Sequence, residues 1–244
     1  MGFLGNHSKM QTESRRDRLR AATVREITQT ARRLLVEEGP EAVTLRAIAR
    51  EMGMTAPALY RYFDSHQELL RHVVGELFTE LTDQVKAAIH AVPPRDLKDR
   101  FAFAAKAFRD WSLAHRREYT LLFGTPVPGT TDTEDYTALC AQRFGRTFIE
   151  LFLELWARHP FPIPADEEID PSLIRQLTAY RIELGGPDLP LGAMLVFITC
   201  WTRLQGFVTL EVFQHLDFAL DDTEPMFHLL LLELGDRLGL ALDH

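Results

Sequence analysis

The sequence predicts an all-α fold with a small N-terminal group of helices and a larger helical body. Apolar residues recur at helical spacing almost throughout the 244 residues. No segment shows the sustained apolar-polar alternation, bounded by turns, that is typical of strands. Charge divides the chain in the same way. Residues 1–62 contain 11 Lys and Arg residues and seven Asp and Glu residues, whereas the rest of the chain contains 16 Lys and Arg residues and 28 Asp and Glu residues. The N-terminal region, here called the head, is therefore basic, and the rest of the chain, the body, is acidic. This distribution indicates that only the head binds a polyanion.

The first two predicted helices are amphipathic and end at glycines. The first ends at Gly39, a C-cap glycine followed by a proline that cannot continue the helix. The second covers about eight residues, begins after the N-cap candidate Thr44 and stops at Gly53. Their apolar faces comprise Val24, Ile27, Ala31, Leu34 and Leu35 in the first, and Leu45, Ile48, Ala49 and Met52 in the second.

The third and fourth predicted helices also have recognisable starts. Thr55 is the N-cap candidate of a third helix of about seven residues, with Pro57 in the first turn, where a missing N–H loses no hydrogen bond. Ser65 and Glu68 have the spacing of a capping box and open a fourth helix that lasts until the prolines at 93 and 94. A helix from 66 to 91 is about 40 Å long at 1.5 Å per residue.

Helical segments are also predicted throughout the body, separated in two places by linkers rich in Pro, Gly and acidic residues. They cover 96–117, 118–123, 133–158, 171–184, 190–216 and 222–240. The most apolar run, 189–201, continues into a segment containing Arg203, Gln205 and Glu211. These polar residues favour a buried helix over a membrane span.

Residues able to do chemistry form no pattern typical of a catalytic or metal site. GxSxG, HExxH, P-loop and dinucleotide-binding glycine motifs are absent from the sequence, and the nine histidines are scattered. Cys140 and Cys200 lie in apolar surroundings typical of reduced core thiols. The first residues contain no apolar run of signal-peptide length. We therefore expect a cytoplasmic protein with no enzyme activity, cofactor, metal or membrane association.

The second and third helices, joined by a glycine-containing turn, match the helix-turn-helix layout, in which the second helix enters the major groove. On that helix the core needs only Leu59 and Phe63, so Tyr60, Arg61 and Tyr62 cannot all face inward. A tyrosine can contact a thymine methyl, a sugar or a phosphate, and an arginine a phosphate or a guanine edge. For one of the two tyrosines, packing against neighbouring helices is an equally good interpretation.

The stretch TLRAIAREMGMTAPALYRYFDSHQELL (44–70) resembles the DNA-binding domain of TetR-type bacterial transcriptional regulators. That family has a helix, a glycine-centred turn, Leu-Tyr-x-His/Tyr-Phe, a polar turn and a Leu-rich helix. The specific resemblance covers about residues 20–70, and 201–216 resembles a Trp-x-x-Leu-x-Gly-x-x-x-x-Glu segment of some members. The resemblance implies a three-helix helix-turn-helix domain (20–66) and a larger helical ligand-binding and dimerisation domain (67–244), after a basic extension (1–19).

Carried over to matching positions, the resemblance implies contacts with an operator in double-stranded DNA from Arg46, Thr55, Ala56, Pro57, Ala58, Tyr60, Arg61, Tyr62 and His66. The family commonly has Lys where this chain has His66. A mostly neutral histidine predicts a weaker phosphate contact, although the N-terminal amides of the fourth helix can bind phosphate. The basic extension could follow the DNA backbone or enter the minor groove; a disordered tail is the alternative.

A helix-turn-helix that contacts one half-site binds weakly, and such proteins usually dimerise. The last two predicted helices have more apolar surface than one subunit can bury, so we expect an isologous homodimer interface there. The resemblance implies a four-helix bundle, and the candidate interface residues are Gly206, Phe207, Leu210, Phe213, Phe227 and Leu231. Packing of Gly206 within one subunit is an equal alternative.

Aromatic residues are dense between the head and this interface. The resemblance implies a cavity there for a small-molecule effector, and an aromatic lining suits an apolar ligand. The candidate pocket residues are Phe108, Trp111, His115, Phe123, Phe144, Phe148, Trp156, Trp201 and Arg203. For each of them, ordinary core packing is the alternative.

The predicted function is a DNA-binding transcriptional regulator, namely a repressor that a small apolar ligand releases from a palindromic operator. An activator or a ligand-independent regulator of the same fold is an alternative that the sequence does not distinguish. A helical binding protein or enzyme with a degenerate helix-turn-helix is disfavoured by the basic, aromatic recognition helix.

Overall fold

The computed structural model describes residues 14–124, 136–185 and 189–240, and these residues form ten α-helices and no strand. The all-α prediction is confirmed. The chain divides into two compact units, Met1–Val73 and Val74–His244, each described by itself. The helices are α1 (Arg15–Glu38), α2 (Leu45–Glu51), α3 (Ala56–Leu59), α4 (His66–His90), α5 (Leu97–Ala114), α6 (Arg116–Tyr119), α7 (Tyr136–Arg158), α8 (Pro171–Glu183), α9 (Leu191–Val212) and α10 (Glu224–Arg237).

Helix α1 begins inside the segment that was predicted to be an extension. The Ser14 hydroxyl accepts a hydrogen bond from the Asp17 amide at 3.2 Å, and the Asp17 carboxylate accepts one from the Ser14 amide at 3.3 Å. This capping box satisfies two amides at the helix start. Residues 15–19 therefore belong to the first helix, which corrects the predicted boundary, and residues 1–13 lie outside the described residues.

The turn between α2 and α3 needs a residue in the left-handed region. Gly53 has φ +63°, and the Met54 amide donates to the Ala49 carbonyl at 2.8 Å, which closes a Schellman-type end to α2. The predicted cap at the other end of α2 is present, since the Thr44 hydroxyl accepts from the Ala47 amide at 3.1 Å. Both ends of α2 are therefore set by local hydrogen bonds.

Helix α3 is shorter than the predicted seven residues. Its α-helical part covers four residues, and the chain then tightens because the Tyr62 amide donates to the Leu59 carbonyl at 2.9 Å, a bond between residues three apart. Phe63 and Leu59 are both buried in the core of the first unit. The remaining core comes from α1, α2 and the start of α4, through Ile27, Ala31, Leu34, Leu35, Ile48 and Leu69.

Helix α9 is the central helix of the second unit. It packs against α5, α7, α8 and α10, and Met194, Val196, Leu204 and Val208 are buried along it. By length and composition alone α9 could cross a membrane, but half of its apolar window is buried within the protein. Contact with four neighbouring helices is typical of a core helix. It ends at Val212 rather than at the predicted 216, and turns follow.

Three helices of the second unit meet at a buried ion pair. The Arg109 guanidinium on α5 binds the Glu211 carboxylate on α9 and the Glu224 carboxylate at the start of α10. It also lies over the Phe227 ring, with the guanidinium carbon 4.5 Å from the ring centre. This cluster joins α5, α9 and α10 by polar contacts as well as by apolar packing.

Candidate DNA-binding and effector sites

The recognition helix α3 and the turn after it present two side chains outward. Leu59 and Phe63 are buried, as predicted, whereas Tyr60 is 50% exposed and Arg61 is exposed. Because Leu59 and Phe63 anchor one side of this segment, Tyr60 and Arg61 project from the other side. Among the described residues neither Arg61 nor Arg46 has a carboxylate partner, so both guanidinium groups can contact an anion.

Tyr62 occupies a different environment. It is half-buried, and the Arg20 guanidinium of α1 lies over its ring with 5.2 Å between the guanidinium carbon and the ring centre. The Arg20 Nη1 also donates to the Arg61 carbonyl at 3.2 Å. A cation over an aromatic face is attracted to it, and the bond to a carbonyl fixes the backbone. Arg20 therefore holds the end of the recognition segment against α1, and packing is the observed environment of Tyr62.

The other predicted DNA-binding residues lie at the starts of helices. Arg46 is exposed in the first turn of α2, and Thr55 is exposed at the N-cap of α3, where its hydroxyl makes no capping hydrogen bond. Pro57 is exposed, and Ala56 and Ala58 are half-buried in α3. The small side chains at these positions leave the α3 backbone open to close approach.

His66 is the exposed first residue of α4, next to a capped helix start. The Ser65 hydroxyl accepts from the Glu68 amide at 3.0 Å, and the Glu68 carboxylate accepts from the Asp64 amide at 2.5 Å. The predicted Ser65–Glu68 cap is present, with the carboxylate bound to Asp64 rather than to Ser65. Because this carboxylate is negatively charged, it weakens the attraction of the helix start for a phosphate.

In the second unit, aromatic side chains surround an apolar cavity of about 250 Å³. Helices α4, α7, α8 and α9 and the π-helical turn Thr120–Gly124 contribute to its wall. Among the described residues, no charged side chain lines it, and the polar side chains in its wall are Tyr180 and Gln205. Four of the predicted pocket residues line this cavity, namely Phe123, Phe144, Phe148 and Trp201.

Two family models match most of the chain. Residues 20–73 match that of bacterial regulatory proteins of the tetR family, and residues 101–234 match that of the tetracyclin repressor-like C-terminal domain. The chain belongs to the TetR family. It is therefore a DNA-binding transcriptional regulator, as the recognition segment predicted.

Relatives of this TetR-family chain include other regulators. The HTH-type transcriptional regulator Rv1816 of Mycobacterium tuberculosis is 31% identical over 77% of this chain and 79% of its own length, and Mb1846 of Mycobacterium bovis gives the same values. The crystal structure of the regulatory protein SCO4313 has a TM-score of 0.70 at 28% identity, covering 91% of this chain and 98% of that one. A protein from Rhodococcus sp. RHA1, with a TM-score of 0.64 at 20% identity, has the same fold.

The structure does not bring all predicted pocket residues of this TetR-family protein together. Phe108 is fully buried behind the cavity, with its ring centre 5.8 Å from that of Phe144. Trp111 and His115 stack 4.8 Å apart in a separate surface cleft, where the Trp111 Nε1 donates to Glu80 at 2.9 Å. The Trp156 ring packs edge-on against Phe161, 5.0 Å away, and Arg203 is exposed and pairs with Glu233 of α10.

The predicted interface residues of the TetR-family body also separate into two groups. Gly206 and Leu210 are exposed on α9, as is Phe213 directly after it, and apart from the backbone of α9 no described atom lies within 4 Å of where a Cβ on Gly206 would be. Phe227, in contrast, is buried beneath Arg109, with 1% of its surface exposed. Phe207 is half-buried, with its ring centre 5.9 Å from that of Phe227, and Leu231 is half-buried at a smaller cavity.

Three residues that the structure singles out in this TetR-family protein were not among the candidate site residues predicted from the sequence. Met226 and Leu229 are exposed on α10, and their spacing of three residues, which puts them on one face, is visible in the sequence. No local pattern in the sequence points to Arg109, because its partner Glu211 lies 102 residues away in the chain. Glu211 is the glutamate that ends the Trp-x-x-Leu-x-Gly-x-x-x-x-Glu segment, so a structural role explains it.

Proposed function

We propose that the protein is a repressor that binds a palindromic operator as a homodimer, and that a small apolar ligand releases it. Helix α4 supports this proposal most directly. It starts at the Ser65–Glu68 cap, immediately after the recognition segment, and its Phe78 lines the apolar cavity. One continuous helix therefore connects the residues proposed to contact DNA with those proposed to contact the ligand.

On DNA, we assign base contacts to Tyr60 and Arg61, because both project outward from the recognition segment. The Tyr60 ring suits a thymine methyl or a sugar, and the Arg61 guanidinium suits a guanine edge or a phosphate. Arg46 and Thr55 are assigned to phosphates, since both lie exposed at helix starts.

Three further assignments follow from the surroundings of the recognition segment. Ala56, Pro57 and Ala58 let the α3 backbone approach the groove. Tyr62 acts by packing under Arg20. His66 makes at most a weak phosphate contact, because the Glu68 carboxylate lies at the same helix start.

For the homodimer, we assign the exposed apolar face of α9 and α10. Leu210, Phe213, Met226 and Leu229 are each exposed by a third or more of their surface, and Gly206 lies on the same face of α9 as Leu210, one turn before it. Members of the TetR family act as dimers on DNA operators. Gly206 has no contact within its own subunit near the position of a Cβ, so it leaves space for the helix of a second subunit.

Ligand release requires that the ligand and the operator favour different arrangements of α4. A ligand wedged against Phe78 displaces α4 and thereby changes the separation of the two recognition helices in the dimer. These must match major grooves about 34 Å apart, so a shift of a few ångströms weakens both half-sites. By linkage, ligand and operator then weaken the binding of each other by the same factor. We expect such a regulator to act in the cytoplasm without catalytic activity.

The test has two stages. The operator is first recovered from a random DNA pool, where two inverted half-sites support the homodimer and a single site contradicts it. Apolar compounds that raise the melting temperature are then titrated against the labelled protein–operator complex, with fluorescence anisotropy as the readout. Loss of anisotropy with ligand supports release, and unchanged operator affinity for every tight binder contradicts it.

A further inference from the structure

Building on the proposed function, we propose that the effector is an elongated, uncharged, largely hydrocarbon molecule that occupies two neighbouring cavities at once. The first is the cavity of about 250 Å³ already described. The second, of about 70 Å³, lies among α5, α7, α9 and α10 and is lined by apolar side chains and Cys200. The molecule would bind by displacing the side chains that separate the two.

The partition between the cavities consists of three aromatic residues. Phe148, Phe197 and Trp201 line both cavities. Phe197 and Trp201 are four residues apart on α9 and therefore share one face, and the Phe148 ring of α7 is 5.2 Å from the Trp201 ring. Because the side chains of these three residues border both cavities, we infer that rotamer changes can connect the cavities without moving a helix axis.

The sizes of the cavities favour joint occupancy. Ligand pockets are typically about 300 to 1,000 Å³, which exceeds either cavity alone. The smaller cavity is lined by apolar side chains and Cys200, and an apolar cavity tends to remain dry. A hydrocarbon segment that fills it replaces missing packing contacts with favourable ones. The smaller cavity therefore suits the end of an apolar chain.

None of the described residues that line the two cavities has a charged side chain. Burial raises the pKa of Cys200 to about 11 despite nearby Arg203 and Arg237, and burial together with Glu183 raises the pKa of Tyr180, so both groups are neutral at pH 7. An ionised head group in the larger cavity would lose its hydration, and no charged side chain among the described lining residues would replace it, which is strongly unfavourable. The ligand is accordingly uncharged.

The polar groups of the larger cavity define the orientation of the bound ligand. The Tyr180 hydroxyl and the Gln205 amide line the larger cavity, and neither has a hydrogen-bond partner among the described side chains. They suit a hydroxyl or carbonyl head group. The hydrocarbon tail then extends past Trp201 toward Cys200, and it contacts Leu231 and Leu234 of α10.

The test uses normal alkan-1-ols from hexanol to hexadecanol, with tryptophan fluorescence and calorimetry as readouts. Affinity should rise about fourfold for each added methylene while the chain gains buried length, and then level off. Alkanoates and alkylammonium ions of equal length should bind at least tenfold more weakly. Binding of these ions as tight as that of the alcohols would overturn the uncharged ligand class.

Two matched variants separate the cavities. Ala102→Leu narrows the smaller cavity, and Gly145→Leu fills the larger one, where an added Cβ meets no atom within 4 Å. We expect Ala102→Leu to lower the chain length at which affinity levels off while short alcohols bind as before. Gly145→Leu should weaken binding of all lengths. A chain-length profile that Ala102→Leu does not change would overturn joint occupancy.

A measurement on the unmutated protein makes the test independent of how the variants fold. Long alcohols should slow alkylation of Cys200 by iodoacetamide, detected by mass spectrometry, and short ones should not. Equal protection by short and long alcohols would also contradict joint occupancy. Operator release is measured separately, so a long alcohol that binds as expected but leaves the operator bound contradicts the proposed release while the ligand class stands.

Discussion

Arg109 and Glu211 form a bidentate ion pair in the interior of the second unit, although 102 residues separate them in the chain. The Arg109 Nε and Nη2 atoms lie 2.8 to 3.0 Å from the Glu211 carboxylate oxygens, and the two side chains are 5% and 1% exposed. Burial opposes the charge of Arg109, but its hydrogen bonds to Glu211 and Glu224 outweigh this effect and raise the pKa of the guanidinium. The Arg109 guanidinium therefore remains charged at neutral pH.

Removal of Glu211 should destabilise the fold far more than removal of Glu224. Glu211→Ala leaves a buried cation without its main partner, which typically lowers the free energy of unfolding by about 3 to 5 kcal/mol. Glu224 is 58% exposed, so Glu224→Ala should lower it by about 1 kcal/mol or less. Urea unfolding at one fixed protein concentration measures both. Equal losses for the two variants would contradict the dominance of the buried pair.

The contribution of Glu224 to stability should depend on pH in the acid range. The hydrogen bond from Arg109 lowers the pKa of Glu224 below its ordinary value of 4.5. A carboxylate with a lowered folded-state pKa stabilises the fold fully above the unfolded pKa and loses this effect as pH falls through the folded pKa. The stability difference between the unmutated protein and Glu224→Gln should therefore be constant above about pH 5.5 and shrink below pH 4.5. A difference that grows on acidification would contradict this sign.

Tyr60 and Arg46 should affect operator binding in different ways. Tyr60→Ala removes a proposed base contact and should weaken specific binding by about 1 to 3 kcal/mol without changing the salt dependence. Arg46→Ala removes a proposed phosphate contact and should reduce the slope of log affinity against log salt by about one. Mobility-shift titrations at several salt concentrations measure both effects. Unchanged affinity in both variants would contradict the assigned DNA-binding face.

Arg20 should support DNA binding through its contacts with Tyr62 and the Arg61 carbonyl. Arg20→Ala releases both contacts, so we expect operator affinity to fall further than in Arg18→Ala, which removes an equal charge from an exposed position of the same helix. Cation–π contacts of this kind are worth about 0.5 to 1 kcal/mol at exposed sites. Equal losses of operator affinity in the two variants, measured at the same salt concentration, would show that Arg20 contributes only through its charge.

Charge placed on the exposed face of α9 and α10 should disrupt the proposed homodimer. Leu210 is 41% exposed and Leu229 is 53% exposed, so Leu210→Glu or Leu229→Glu should yield monomers without disturbing the core of the subunit. Ile182→Glu is the matched control, because Ile182 is an exposed apolar residue on α8. Light scattering after size-exclusion chromatography reports the mass. A monomeric unmutated protein at micromolar concentration would contradict the interface.

Local signals in the sequence determined the helices and the recognition segment. Apolar spacing, the caps at Thr44 and Ser65 and the glycines at 39 and 53 are interactions within a few residues, so the sequence contains all that is needed to place them. The observed helix boundaries differ from the predicted ones where a local hydrogen bond was not recognised in the sequence. The Ser14–Asp17 capping box extended α1 toward the N-terminus, and the tight turn after Leu59 shortened α3.

Only the tertiary structure decided which face of each helix is buried against other helices. Helical spacing shows that Tyr60 and Tyr62 differ in direction, but only the approach of Arg20 from α1 determines that Tyr62 is the packed residue. Likewise, the sequence identified an aromatic body, whereas the packing of α9 against its neighbours separated Trp201 at a cavity from Phe227 in the core. The physical reason is that burial and ion pairing depend on residues from distant parts of the chain, and periodicity within one helix contains no information about them.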